Sequence, residues 1–138
     1  MKKLLVILVL LLFSCSKEEP KLEVFSGEAF AFQLDTTWEL NSSARIKGFK
    51  LLEIEENYTG AVDYKVSLYS PANDTINDVD FGEMQYQDEE DNAELVIDVQ
   101  IELDSTFKSG DYKLEYIVSD KNKSDIDTLA IDFKLEAY

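Results

Sequence analysis

The sequence predicts an all-β domain built from antiparallel strands, and three observations support this class. Apolar and polar residues alternate with a period of two along most of the chain, which is typical of strands with one buried face. Segments rich in Gly, Asn, Asp and Ser separate these stretches and indicate turns. Beyond the N-terminal apolar run, no stretch carries a helical stripe. Strands at this spacing without helices are typical of a sandwich or a barrel.

The individual strands are predicted in order along the chain. The clearest alternation includes Val62, Val66 and Leu68, which are separated by polar neighbours. Gly82 interrupts a weaker strand and indicates a bulge there. From the N terminus to the C terminus, the predicted strands lie around residues 30–34, 49–54, 62–68, 79–86, 95–103, 112–118 and 129–135. We expect about seven strands in one domain, because the chain is too short for two ordinary domains.

The N-terminal segment predicts a secretory signal peptide over residues 1–14. Two lysines precede the apolar residues 4–13, which Ser14 and Cys15 follow. As a helix, this apolar run would rise only about 15 Å, roughly half of the hydrocarbon core of a bilayer. The segment therefore indicates export and not a membrane span.

The four residues from Leu12 to Cys15 resemble the lipobox of bacterial lipoproteins, in which a small residue precedes an obligatory cysteine. Phe13 is bulkier than the usual occupant of its position. The resemblance implies that Cys15 carries the lipid and becomes the first residue after cleavage. Residues 15–21 would then be a lipidated tether, and residues 22–138 a β-sandwich domain. The alternative is an ordinary secreted protein with a chance cysteine, although an unpaired cysteine in an exported chain needs an explanation.

Lys17, Glu18 and Glu19 follow the cysteine closely. This short motif resembles the lipoprotein export signal of the Bacteroidetes group, which directs lipoproteins across the outer membrane to the cell surface. The resemblance implies an outer-membrane lipoprotein that faces the medium. The periplasmic face of the outer membrane is the alternative, because any soluble tether is charged and solvated.

The composition excludes several classes of function. The chain has 29 acidic and 13 basic residues, no histidine and one cysteine, for a formal net charge of −16. Such a charge disfavours nucleic acid and anionic lipid headgroups as partners, because both are bound through Lys and Arg. Without histidine, and with Cys15 assigned to the lipid, no Ser-His or Cys-His nucleophile and no ordinary zinc site can form. We therefore expect no enzyme activity, no cofactor and no metal site.

Residues 109–120 resemble the penultimate strand of immunoglobulin-like modules in bacterial surface proteins. A Gly-x-Tyr entry is followed by alternating apolar residues and by an Asp before the last hairpin. The resemblance implies that Tyr112 forms a tyrosine corner, with its hydroxyl bound to the preceding loop, and that Leu114 makes an apolar contact between sheets. Trp38 comes too early to be the core Trp of strand C in antibody domains. The predicted fold is an antiparallel immunoglobulin-like β-sandwich.

Trp38 is the candidate ligand contact. It lies among acidic residues and threonines, so that an exposed indole would make a platform for a sugar ring, to which Tyr58, Tyr69 and Tyr86 could add. The alternative, which we favour, is that Trp38 packs over one end of the sandwich. Exposed aromatic side chains beside carboxylates would favour the platform.

The sequence thus predicts a non-enzymatic binding or accessory module that is attached to the outer membrane through Cys15, with an unknown protein or glycan partner. One alternative is a glycan-binding accessory of a polysaccharide-uptake system. Another is a structural subunit that pairs through an exposed strand edge. An aromatic strip on one sheet would favour the glycan function, and a long uncovered edge strand would favour the structural one.

Overall fold

The structure, a computed structural model, describes residues 18–138 and has eight β-strands in that range. The strands are β1 (Glu23–Leu34), β2 (Thr37–Lys47), β3 (Leu52–Ile54), β4 (Asn57–Tyr69), β5 (Thr75–Asp88), β6 (Glu94–Leu103), β7 (Gly110–Asp120) and β8 (Ile126–Leu135). The described part of the chain contains no helix, and therefore none long and apolar enough to cross a bilayer. The all-β prediction is confirmed.

The strands form two antiparallel sheets. One sheet has three strands in the order β1-β2-β6. The other sheet has five strands and is built around β4. One edge of β4 pairs with β5, and the opposite edge pairs with the short β3 and with β7. β8 pairs with the far edge of β7. Neighbours such as β2 and β6 are distant along the chain, which makes the connections cross between the sheets.

This strand order is the order of an immunoglobulin-like sandwich. With β3 set aside, β1, β2 and β6 correspond to strands A, B and E, and β4, β7 and β8 to strands C, F and G. β5 occupies the place of the additional C′ strand of variable-type domains, and strand D has no counterpart. The predicted sandwich is confirmed, with eight strands instead of about seven.

The core lies between the sheets and is filled mainly by inward-facing residues of β1, β2, β4, β6, β7 and β8. Its fully buried members include Leu40 and Ile46 of β2 and Leu114 and Tyr116 of β7. Each such side chain stabilises the fold by roughly 1.5–3 kcal/mol through its removal from water. The alternation predicted for residues 112–118 is confirmed, because burial follows it.

A chain of hydrogen bonds crosses this core between the two sheets. The Tyr116 hydroxyl donates to Ser42 Oγ at 2.7 Å, and Ser42 Oγ donates to the carbonyl oxygen of Glu28 at 2.7 Å. Burial raises the pKa of Tyr116 to about 12, so the hydroxyl stays protonated at neutral pH. The buried polar groups of both sheets are therefore satisfied by each other.

β2 is a strand that the sequence prediction missed. Its inward residues are Trp38, Leu40, Ser42, Ala44 and Ile46, all of them buried. A serine and an alanine in the middle of the strand hide the apolar alternation. The serine is tolerated in the core because its hydroxyl has partners on both sides, which only the folded structure supplies.

The predicted bulge at Gly82 is wrong. Gly82 pairs regularly with Tyr64, whose ring lies close above it. The irregularities fall elsewhere, between Val66 and Leu68 in β4 and between Phe25 and Glu28 in β1. At Gly82 the glycine is required by the approach of a tyrosine ring and not by backbone irregularity.

The predicted strand at residues 49–54 is correct only in its second half. Phe49 lies outside any strand and is buried against Gly60 and Tyr86. Its segment is held from a distance, because the Lys50 amide N–H donates to the carboxylate of Asp120 at 2.6 Å. A tertiary contact therefore replaces the backbone ladder here.

The tyrosine corner is confirmed. The Tyr112 hydroxyl donates to the carbonyl oxygen of Lys108 at 2.8 Å, and its ring packs between Phe107 and Phe133. Leu114, two residues later, is fully buried as the resemblance implies. This corner fixes the loop that enters β7.

The two sheets are joined along one side by β1 and β8. The Val24 amide N–H donates to the carboxylate of Asp127 at 2.8 Å. Leu22 is the first buried residue of the described chain, and residues 18–21 are exposed. Ordered packing therefore begins at Leu22.

Candidate functional site

Trp38 is not an exposed platform. Its side chain is only 4% exposed, and its indole N–H donates to the carbonyl oxygen of Phe107 at 3.1 Å. Trp38 is thus a core residue that also fixes the loop before β7. The hypothesis that Trp38 contacts a ligand is therefore wrong, and the alternative that it packs in the sandwich is correct.

The three tyrosines considered with Trp38 do not form a platform with it, because the indole is buried. The Tyr69 hydroxyl donates to Glu115 at 3.2 Å, and the negative charge of Glu115 raises the pKa of Tyr69. The Tyr86 hydroxyl donates to the Glu90 carbonyl oxygen, and Tyr58 is half-buried on β4. Each is engaged in local structure.

The predicted anchor residues fall mostly outside the described chain. Cys15 and Lys17 lie outside residues 18–138, whereas Glu18 and Glu19 lie within them and are exposed. Glu19 lines a cavity of about 620 Å³ at this end of the domain, together with Phe49 and Lys50. No contact of the described residues tests the lipid anchor.

A different group of aromatic side chains is exposed, on the outer surface of the three-stranded sheet. Phe30 is 59% exposed and Phe32 37%, and their rings are stacked with centroids 6.5 Å apart. Carboxylates and amides occupy the neighbouring strands of the same surface. We call this surface the aromatic–acidic face, and it consists of Glu28, Phe30, Phe32, Leu34, Glu39, Asn41, Asp98, Gln100 and Glu102.

The strand register arranges these side chains in rows across the sheet. Phe32 of β1 lies opposite Glu39 of β2, which lies opposite Glu102 of β6. In the next row, Phe30 lies opposite Asn41, which lies opposite Gln100; the third row contains Glu28 and Asp98. Neighbouring strands are about 5 Å apart, so the apolar edge and the polar groups form one continuous surface.

A bulge at residues 26–27 places the phenylalanines outside. Leu22 and Val24 face the core, so unbroken alternation would also turn Phe30 and Phe32 inward. Between Phe25 and Glu28, β1 has one more residue than β2, which reverses the alternation. Residues 29 and 31, both alanine, consequently face the core instead.

Gly27 makes this bulge possible. A Cβ atom at this position would lie 2.5 Å from Ile131 Cδ1 and 2.6 Å from Leu129 Cδ2, both in β8. Ser26 adopts a positive φ of 50°, which costs backbone energy at a residue other than glycine. The fold therefore maintains a strained, closely packed segment whose effect is to expose two aromatic rings.

The carboxylates of the aromatic–acidic face have no neutralising cations. Among residues 18–138, none of Glu28, Glu39, Asp98 and Glu102 takes part in an ion pair. Glu39 and Glu102 even lie directly opposite each other, an arrangement that destabilises a sheet. Within the described residues, the one side chain bonded to the carboxylate of Glu39 is the Asn41 amide, which donates at 3.0 Å.

A shallow cavity of about 430 Å³ lies over this face, lined by Phe30, Asn41, Asp98 and Gln100 among others. It combines an apolar wall with hydrogen-bond acceptors and amide groups. Its lining includes the hydroxyls of Ser42 and Ser43 but no histidine beside them, and the described part of the chain has no cluster of three or more His, Cys, Asp or Glu residues that could hold a metal. The arrangement offers surfaces that can bind a ligand.

A larger open groove of about 860 Å³ lies on the outer surface of the other sheet. Its walls contain Tyr69, Lys113, Asp132 and Lys134. Because both signs of charge are mixed along it and Tyr69 is already bonded to Glu115, it has no single chemical character. The aromatic–acidic face is the more specific candidate site.

Sequence reasoning identified the strand of Phe30 and Phe32 but not their exposure. Two signals were available: alanines at positions 29 and 31 between large apolar residues, and the Ser26-Gly27 pair before them. By composition this pair is typical of a turn, whereas it lies inside β1 as a bulge. Whether Phe30 and Phe32 face the core or the solvent depends on whether these two residues form a turn or a bulge.

No protein-family model matches the chain, and no curated protein sequence matches it. Among solved structures, it is similar to the proposed ApaA protein of Bordetella pertussis, at 13% identity and a TM-score of 0.49, over 84% of this chain and 93% of that one. It is also similar to a protein of Archaeoglobus fulgidus, at 7% identity and a TM-score of 0.45, over 84% and 98% of the two chains. Similarity at this level identifies no family.

Proposed function

We propose that this protein is a lipid-anchored, non-enzymatic binding module of the outer membrane, which presents one immunoglobulin-like sandwich at the cell surface. The aromatic–acidic face is the observation that carries the binding function. A bulge, a positive φ and two inward alanines all serve to expose Phe30 and Phe32. Exposed aromatic rings beside unpaired carboxylates are typical of interaction sites, because they destabilise the isolated domain and gain energy on binding.

The anchor rests on the sequence of the N terminus. Residues 4–13 and Cys15 support lipidation, and Lys17, Glu18 and Glu19 support surface export. Ordered packing begins at Leu22, so the tether would span at most about 25 Å. The domain would therefore stay close to the membrane.

The two other functions proposed from the sequence have weaker support. The glycan-binding function was argued from Trp38, which is buried, although Phe30 and Phe32 provide an aromatic strip elsewhere. A structural subunit would need an uncovered strand edge. β1 and β8 lie against each other through Gly27 and Asp127, but among the described strands β5 pairs only with β4 and β6 only with β2, so each leaves one edge open. Open edges would account for pairing but not for the exposed aromatic rings on the outer face of the three-stranded sheet. A binding module requires only the exposed face.

Labelling of growing cells with a radioactive fatty acid tests the anchor. The unaltered protein should incorporate label and fractionate with the outer membrane, whereas Cys15→Ala should lose both properties. Ser16→Ala serves as the control and should behave like the unaltered protein. Unchanged membrane association of Cys15→Ala would contradict the proposal.

Protease added to intact cells tests surface exposure separately. Replacing Lys17, Glu18 and Glu19 with alanine should make a lipidated protein that is protected from the protease. If cleavage continues, the export signal does not lie in these residues, and the anchor is unaffected.

A further inference from the structure

We propose that the aromatic–acidic face binds a basic polypeptide segment of a partner protein. This inference rests on the proposed function of a binding module and names its class of ligand. It follows from the position of the aromatic rings, the unpaired charges around them and the contrast with the remaining surface.

The apolar half of the face is formed by one row of β1. Phe30, Phe32 and Leu34 are all at least 37% exposed, and the two rings are inclined to each other by only 21°. Such a row buries apolar side chains of a partner or the aliphatic stems of lysine and arginine. Aromatic rings in this position also attract cations through their faces.

The polar half of the face selects the sign of the partner's charge. Glu39 and Glu102 lie in the row of Phe32, and Glu28 and Asp98 flank the row of Phe30. A cation placed among them would relieve the repulsion between Glu39 and Glu102. Charge complementarity therefore favours lysine and arginine side chains and disfavours phosphate-bearing partners.

The absence of neutralising charge is local to this part of the described sheet. Towards the tether end, Arg45 pairs with Glu94 and Lys47 pairs with Glu23. The Lys47 ammonium also lies 4.5 Å from the centre of the Phe25 ring, which shows how a cation engages an aromatic ring and a carboxylate together on this sheet. We infer that a partner's cation takes the same position beside Phe30 and Phe32.

A basic polypeptide fits this face better than a neutral glycan. A sugar ring can stack on Phe30 or Phe32 and bind Asn41 and Gln100, but it leaves the carboxylate charges uncompensated. A polypeptide that runs along the strands meets the rings on one side and the carboxylates about 5–10 Å away on the other. It therefore engages both halves of the face.

Fluorescence anisotropy of labelled peptides tests this proposal on the full protein as isolated from its cells, in detergent micelles. The probe is a short peptide of alternating lysine and leucine, and the comparison peptide has glutamate in place of lysine. The Lys-Leu peptide should bind at least about tenfold more tightly than the Glu-Leu peptide. Raising sodium chloride from about 0.05 to about 0.5 M should weaken this binding.

Two pairs of variants separate the contributions of the face. The double variant Glu39→Gln and Glu102→Gln should weaken binding about tenfold and reduce its salt dependence. The double variant Phe30→Ala and Phe32→Ala should weaken it by a similar factor with the salt dependence retained. Circular dichroism should show that both variants fold, because these side chains lie outside the core.

Matched controls lie on the other sheet and at the C terminus. Asp132→Asn with Glu136→Gln removes the same charge, and Phe81→Ala removes a phenylalanine that is 68% exposed. Both controls should leave peptide affinity unchanged. If they weaken it as much as the test variants, binding follows the general acidity of the protein and the proposed site is wrong.

Calorimetric titration with cellohexaose provides the opposing outcome. Saccharide binding that depends on Phe30 and Phe32, without binding of the Lys-Leu peptide, would assign the face to glycans and overturn the proposal. Because the measurement does not require Cys15 to be lipidated, a failure here is distinguishable from a failure of the anchor, which fatty-acid labelling detects.

Discussion

The outer faces of the two sheets differ in whether their carboxylates pair with cationic side chains. On the five-stranded sheet, Lys121 pairs with Glu83 and Asp63, and Lys134 pairs with Asp111. On the aromatic–acidic face, the four carboxylates have no such partners among the described residues, and two of them lie directly opposite each other. Both surfaces belong to the same acidic domain, so overall charge does not explain the difference.

This difference separates an acidic surface that serves solubility from one that serves the recognition of a partner. An acidic surface with local counter-charges keeps a protein soluble at little cost in stability. A surface that combines repelling carboxylates with exposed rings costs stability, and a domain retains it where binding recovers that cost. The following predictions test whether the contrast is real, from the largest expected effect to the smallest.

Deletion of Gly27 should have the largest effect, because it removes the bulge that exposes the rings. Without the bulge, the alternation of β1 would not reverse. Phe30 and Phe32 would then face the core near Leu40, in the space that alanines occupy now. We expect a loss of about 3 kcal/mol or more in the free energy of unfolding. Urea denaturation measures it.

Deletion of Asn92, in an exposed loop, is the control for loss of one residue and should change the unfolding free energy far less. If both deletions lower the free energy of unfolding by the same amount, the bulge has no special role in exposing the rings. The contrast between the faces then loses its structural basis.

Tyr116 should give the fold a marked dependence on alkaline pH. Its pKa is about 12 in the folded protein and 10.0 when unperturbed, so burial favours the protonated form. The unfolded chain releases this proton first, and stability is lost as pH rises from about 10 to about 12, by up to about 3 kcal/mol. Below pH 10 this contribution is constant.

The variant Tyr116→Phe lacks the hydrogen bond to Ser42, so its free energy of unfolding at neutral pH should be about 1 kcal/mol lower. Its stability should also depend less on alkaline pH than that of the unaltered protein. Urea midpoints across this range measure the difference. Equal alkaline sensitivity of the two proteins would show that the buried hydroxyl of Tyr116 does not govern this response.

Neutralising one glutamate on each face should change stability in opposite directions. Glu102→Gln removes a repulsion with Glu39 and should raise the free energy of unfolding by about 0.3 kcal/mol. Glu83→Gln removes the pair with Lys121 and should lower it. Thermal melting at neutral pH measures both, and a change of the same sign in both variants would contradict the contrast.

Acid titration sharpens this comparison. A hydrogen bond from Gln85 and the ammonium group of Lys121 lower the pKa of Glu83. Its contribution to stability is therefore present above the pKa of the unfolded chain and is lost as pH falls through the lower folded pKa. Melting temperatures of Glu83→Gln should depend less on acid pH than those of the unaltered protein.

Much of the fold could be predicted from the sequence, because a strand with one buried face records its position in its own alternation. The strands around Val62, Ile97 and Tyr112 were found in this way, whereas the tyrosine corner was implied by the resemblance of residues 109–120 to immunoglobulin-like modules. β2 was missed because Ser42 and Ala44 interrupt its apolar pattern. The error about Phe49 has a different origin, because its ring packs against Gly60 and Tyr86 and the next residue is bonded to Asp120, far along the chain, without being part of a strand.

The candidate site could be predicted only in its chemistry. The sequence suggested exposed aromatic residues beside carboxylates as the mark of a site. It named Trp38 as the candidate while favouring a packed Trp38, and it did not point to Phe30 and Phe32. Propensity and composition do not distinguish a buried indole from an exposed ring when both lie in strands with acidic neighbours. The burial of Trp38 depends on its contact with Phe107, and the exposure of Phe30 depends on the bulge.

By itself, the sequence determined the class of fold and the acidic composition, because these follow from local periodicity and residue counts; the lipid anchor at Cys15 stays a prediction from a short motif. Only the tertiary structure decided which aromatic residues are exposed. The reason is that a single extra residue at position 26 or 27 reverses the faces of β1, and this residue is accommodated by the close packing of Gly27 against Ile131 of a strand about a hundred residues away.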